Sequence, residues 1–172
     1  TAQANALYEN ALFYFDRAAN INKQLGVKDP SPYIAIAKTY TQQGQFFIAA
    51  RNAETALAYS PTSPDTYGQL GMIYVQARNY ETALPALRCA VEGCTMEENT
   101  TALEFMDQGL LEQSYPVQPL ELTNLNVAYY YIRYGSVLAY LSDEDNEYCD
   151  KSLQLMSQLR ATYGEDTLLM DN

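Results

Sequence analysis

The sequence predicts an all-α fold, a row of helix pairs stacked side by side. Three observations carry that prediction. Residues 64–93 read as two amphipathic helices joined by a tight turn. The same pattern recurs 34 positions earlier. Ser-Pro pairs at 31–32 and 63–64 stand immediately before the periodic stretches, where a cap followed by a first-turn proline starts a helix.

Within 64–93, Tyr67, Leu70, Gly71 and Tyr74 fall at i, i+3, i+4 and i+7, one helical face. Ala83, Leu87 and Ala90 form the facing stripe of a second helix, and Arg78-Asn79-Tyr80 is the turn. Gly71, Ala83 and Ala90 are small, so the two backbones can approach closely. Thirty-four residues upstream, Tyr33, Ile36, Ala37 and Tyr40 match the first helix. Phe46 matches Tyr80, and Ala49, Ala53 and Ala56 match the second helix. Neither helix can bury its stripe alone, so each must stack on neighbours. A fixed offset of this kind marks a solenoid.

These residues, in this order and period, resemble the tetratricopeptide repeat (TPR) family. The resemblance is strong over 31–93 and looser on either side. It implies a right-handed α-solenoid of antiparallel TPR-like helix pairs, with an irregular insertion before the last pair. The whole chain, 1–172, then forms a single TPR-like domain.

Taken in order, residues 4–25 read as the second helix of an incomplete first repeat, with Leu7, Ala11, Phe15 and Ala18 as its stripe and Leu12 and Ile21 beside it. Gly26 stops it. Repeats follow at 31–60 and 64–93, the first broken at Gly44. Their helices cover about 31–43, 46–59, 64–77 and 80–92. The pattern then fails, because Thr101 and Phe105 stand where an aromatic and a small residue belong. Residues 94–122 read as an insertion with a short helix near 98–110. A divergent repeat spans 123–163, its first helix carrying Val127, Tyr130, Tyr131 and Tyr134 and capped by Thr123 or Asn124. After an acidic turn at 142–146 the last helix, about 145–162, carries Cys149, Leu153, Met156 and Leu159 on one side. Gly164 ends it, and 164–172 is a tail.

Composition narrows the function classes. The net charge is −11, which repels phosphate backbones and argues against nucleic acid as a partner. Histidine is absent, removing the commonest general base and metal ligand. There is no tryptophan, so the 16 tyrosines supply the large core rings. The apolar run Val127 to Ile132 is far shorter than the ~20 residues a membrane span needs. The chain opens on Thr1 inside a helical pattern and reads as a fragment, with an upstream anchor or signal left open.

In the TPR family, ligands lie in the groove lined by the first helices. Carried over by position, that groove presents Ile34, Lys38, Thr41 and Gln42, then Asp65, Gly68, Met72, Val75 and Gln76. The third unit offers Ala128, Ile132 and Ser136, with Tyr129 and Arg133 adjacent. Some TPR proteins clamp a terminal carboxylate through Lys and Asn. Those positions here read Ile34, Lys38 and Gln69, so only Lys38 fits and the two-lysine clamp is not expected. The alternative reading is that these are ordinary solvent-facing residues. Tyr129 and Tyr140 are expected at the surface, or under the insertion, whose leucines need burial.

The run Asp143-Glu144-Asp145-Asn146-Glu147 lacks the glycine and distant glutamate of a calcium loop and reads as a solvated turn. Of three cysteines, Cys89 and Cys94 are five apart at a helix end, where Gly93 lets the chain turn back. A local disulfide there is one reading, and three buried thiols is the other. No metal site, cofactor or catalytic residue is expected. The chain reads as a non-catalytic protein- or peptide-binding scaffold. Alternatives are a repeat arm of a larger enzyme or secretion or envelope protein, and a self-association module acting through the open ends of the stack. Its location is cytoplasmic, or extracytoplasmic if Cys89 and Cys94 are bridged.

Overall fold

The computed structural model describes residues 2–104, 106, 114–123, 125–142 and 147–164. It contains helices α1 (Ala2–Gln24), α2 (Ser31–Gln42), α3 (Phe46–Tyr59), α4 (Pro64–Gln76), α5 (Tyr80–Val91), α6 (Met96–Ala102), α7 (Leu125–Leu141) and α8 (Glu147–Tyr163). Among the described residues there is no strand, and an isolated antiparallel bridge joins Cys94 to Val117. The architecture is all-α and helical-repeat-like. Each of α1 to α4 packs on the next helix, α5 packs on α7, and α7 packs on α8. Helix α6 rests on α5, and α4 also touches α7.

The two hairpins α2–α3 and α4–α5 turn in the same way, bond for bond. Gln45 donates its backbone N–H to Tyr40 O at 2.9 Å, and Asn79 donates to Tyr74 O at 2.9 Å. Gly44 donates to Thr41 O and Arg78 to Val75 O, each at 3.0 Å. These six-to-one and five-to-two bonds satisfy the last carbonyls of each first helix, and they require a left-handed residue at the corner. Gly44 takes φ 71° there and Arg78 takes φ 59°. The same closure ends α1 at Gly26, φ 69°.

Burial follows the 34-residue register. Ile36 and Leu70, Ala37 and Gly71, Ala49 and Ala83, Ala53 and Leu87, and Ala56 and Ala90 are buried at both members of each pair. Gly71 is required by the packing, since a Cβ there would stand 2.6 Å from Leu87 Cγ. Tyr33 and Tyr67 differ in cover. Tyr33 is half-buried with its ring edge-on to Tyr59 at 5.3 Å, while Tyr67 is fully buried beneath Asn99 of α6. Of the described residues between 94 and 122, α6 and the segment 114–122 lie on the second hairpin. Between hairpins, the buried Glu54 of α3 accepts the Tyr74 hydroxyl at 2.9 Å and Arg51 at 2.7 Å.

Several expectations need correction. Ser31 is the first residue of α2 rather than its cap. The Asp29 carboxylate accepts the Ser31 N–H at 2.9 Å and does the capping. Ser63 does cap α4, accepting the Thr66 N–H. Leu7 and Ile21 face solvent, because α1 turns Leu12, Phe15 and Ala19 toward α2 instead. The short helix begins earlier than expected, at Met96, because Thr95 and Glu98 form a reciprocal capping box. The parts of that expectation at 105 and 107–110 lie outside the described residues, as do 111–113, the cap residue Asn124, the acidic run 143–146 and the tail 165–172.

In α8 the inward face is Ser152, Leu155 and Leu159, while Cys149 and Leu153 are exposed. Gly135 is the reason. Lacking a side chain, it lets Ser152 Oγ donate to its carbonyl at 2.8 Å and the Met156 methyl lie over its Cα.

The segment 114–122 of the insertion straps the second hairpin to α7. Cys94 and Val117 exchange two backbone bonds of 2.9 Å, Leu120 N donates to Ala90 O, and the Tyr131 hydroxyl donates to Leu120 O. Among the described residues it covers Tyr131. Tyr140 is 69% exposed, its ring resting on Tyr80 with centroids 4.4 Å apart.

Candidate functional site

Helices α2, α4 and α7 enclose one concavity of about 510 Å³. Its α2 wall carries Ile34, Lys38, Thr41 and Gln42, and its α4 wall carries Asp65, Gln69, Met72 and Gln76. Asn126, Tyr129 and Tyr130 close it from α7. The structure thus brings together Ile34, Lys38, Thr41, Gln42, Asp65, Met72, Gln76 and Tyr129. It leaves Val75 and Arg133 outside the lining. Ala128 and Ile132 are buried, so α7 meets the groove through a different face from the one the register carried over.

That face is set by Gly68. The Tyr130 ring lies against it so closely that a Cβ at 68 would stand 2.6 Å from the ring. The Tyr130 hydroxyl donates to Asp65 Oδ1 at 2.9 Å, and Gln69 Nε2 donates to Asp65 Oδ2 at 2.6 Å. Asp65 is therefore a tie between α4 and α7, with both oxygens engaged. Burial first, and the adjacent Asp65 charge second, push the Tyr130 phenol well above its ordinary value.

The chemistry left at the wall is mixed. Lys38 is exposed and makes no ion pair among the described residues. Gln69 Oε1 is buried without a hydrogen-bond partner among the described residues. Gln42, Gln76 and Asn126 add amides, and Ile34, Ile73 and Met72 add apolar surface. Asn126 and Tyr130 were not foreseen as lining residues. Asn126 lies one turn before Tyr129 on the same helical face, a signal the sequence did contain.

Away from the groove, Cys89 and Cys94 are disulfide-bonded with Cα atoms 4.9 Å apart, and Cys149 is a free, exposed thiol. Beside the disulfide, Lys151 of α8 meets Glu92 at 2.7 Å, and Arg88 bridges Glu92 and Glu98. Burial, with the Glu92 charge next, raises the Tyr134 phenol there. Among the described residues no three or more Cys, Asp or Glu could hold a metal ion together, and no helix is long and apolar enough to cross a membrane. Compared with protein-family models and with curated proteins, the chain matches none.

Proposed function

We propose that the chain is a right-handed α-solenoid of TPR-like helix pairs that binds a protein or peptide segment in its concave groove and performs no chemistry itself. The single observation behind this reading is the concavity of about 510 Å³ lined by α2, α4 and α7. Its wall suits a chain segment. Side-chain amides offer a donor and an acceptor each, matching backbone N–H and C=O groups. Met72 and Ile34 take an apolar side chain, and Met adapts its shape to what it meets. Lys38 favours an acidic or C-terminal group nearby.

Selection of binders from a random peptide library, followed by fluorescence anisotropy, tests this. We expect Met72→Arg and Lys38→Glu each to weaken binding by about tenfold, or ~1.4 kcal/mol. Val75→Ala and Arg133→Ala are expected to leave it unchanged. No binders, or binders indifferent to Met72 and Lys38, would overturn the reading.

The disulfide favours an oxidising, extracytoplasmic location, since reducing compartments keep thiols free. Thiol titration of protein purified without reductant is expected to find one free thiol, Cys149. Finding three would contradict it.

A further inference from the structure

Helix α1 carries a second apolar face that the described residues do not cover. Its substantial neighbour among the described elements is α2. Leu7, Tyr14, Ile21 and Leu25 are 65%, 66%, 45% and 71% exposed. Half-buried Ala11 and Ala18 lie between them. The spacing 7, 11, 14, 18, 21, 25 alternates four and three, which is the seam one helix offers another. Large and small residues alternate along it from Leu7 to Ile21.

We infer that this seam pairs with the same seam of a second copy of the chain, antiparallel and about a two-fold axis. The residue order is self-complementary in that arrangement and not in the parallel one. Run antiparallel, Leu7 meets Leu25, Ala11 meets Ile21, and Tyr14 meets Ala18, and the two-fold repeats each pair. Every alanine then faces a large side chain, so layers fill evenly and the helices approach closely. Run parallel in register, Tyr14 would face Tyr14 and Ala18 would face Ala18. Crowded layers would alternate with voids, and both cost stability.

Charge points to the same edge. The chain carries −11 overall, so most approaches of two copies are repulsive. Within α1, Glu9 and Asp16 are matched by Arg17 and Lys23, leaving this helix neutral. It is a surface along which two acidic molecules can meet.

Sedimentation velocity over a concentration series, on the full chain, is the test. We expect a reversible dimer. Ile21→Glu places a carboxylate in the seam and should raise the dissociation constant by at least about tenfold, with helicity by circular dichroism unchanged. Geometry is read from a spin label at Gln3→Cys in a Cys149→Ser background. Antiparallel pairing puts the two labels about 40 Å apart along the axis, from ~1.5 Å per residue. Parallel pairing puts them about 10 Å apart. A monomer at every concentration, a dimer insensitive to Ile21→Glu, or the short label distance would each overturn the proposal. The first of these would assign the seam to a partner of another sequence.

Discussion

Asn99 and Tyr67 are joined by a buried hydrogen bond across 32 positions, the Asn99 side-chain amide donating to the phenol oxygen. The Tyr67 hydroxyl in turn donates to Pro61 O at 3.3 Å. The same Asn99 amide reaches Cys94 Sγ at 3.7 Å, and its carbonyl accepts the Tyr115 N–H at 3.1 Å. One fully buried side chain thereby ties α4, the disulfide and the 114–122 strap together.

Asn99→Ala is therefore expected to cost on the order of 2–3 kcal/mol, because it orphans the Tyr115 N–H and removes the donor to Tyr67. Urea unfolding measures the loss. Hydrogen exchange should show residues 114–122 losing protection before α2 and α3 do. Uniform loss, or none, would remove Asn99 from this role.

The paired corners give a second test. Arg78 holds a left-handed φ of 59° where Gly44 holds 71° at the matching place. A side chain at a left-handed position costs about 1 kcal/mol, so Arg78→Gly should stabilise by roughly that amount and Gly44→Ala should destabilise by a similar amount. Thermal unfolding of both variants reads the opposite signs. Equal signs would mean that the corners are not equivalent.

Gly68→Ala should be costly, by about 1–3 kcal/mol, because the new methyl meets a rigid ring. It should also break the Tyr130–Asp65 bond and reshape the groove. Gly135→Ala is the control. Its methyl would meet the Met156 Cε, the free end of a flexible chain, so the loss should be smaller. Denaturant midpoints compare the two.

Buried tyrosines set the alkaline limit. Burial raises Tyr67 from 10.0 to about 12, a rise the Asn99 hydrogen bond partly offsets. Burial, followed by a neighbouring carboxylate, also raises Tyr74 beside Glu54, Tyr130 beside Asp65 and Tyr134 beside Glu92. A folded-state pKa above the unfolded one contributes stability that is complete below the unfolded value. That stability is lost as pH rises through the folded value. Stability should thus fall from pH 10 upward, with Tyr67 lost through about 12. A titration followed by tyrosinate absorbance and circular dichroism should show these four ionising together with loss of helix. All 16 tyrosines ionising with helicity intact would contradict it.

Much of the helical layout was legible because its signal is local and periodic. Tyr67, Leu70, Gly71 and Tyr74 lie on one face, and the copy around Tyr33 sits at a constant offset. The corner at Gly44 announces itself. The equivalent corner at Arg78 is legible only from the gap between the two periodic stretches, because arginine carries no turn preference. Where contacts are long-range, sequence reading ran out. Asn99 looks like any polar residue of an acidic helix start, and its three partners lie on other segments. Helix α8 has apolar residues around much of its circumference, with Leu153, Leu155, Met156 and Leu159 close together. The polar Ser152 became the inward position only because Gly135 exposes its carbonyl. The α7 wall of the groove was displaced for a similar reason, since the hollow at Gly68 draws in Tyr130 and turns Asn126 and Tyr129 toward the concavity.

The most direct test of the groove reading is methyl chemical-shift mapping during titration with a selected peptide. We expect the Ile34, Met72 and Ile73 methyls to shift saturably, while those of Leu7, Met96 and Leu153 stay in place. Shifts confined to Leu7, Met96 or Leu153, or no shifts at all, would contradict a ligand held between α2, α4 and α7.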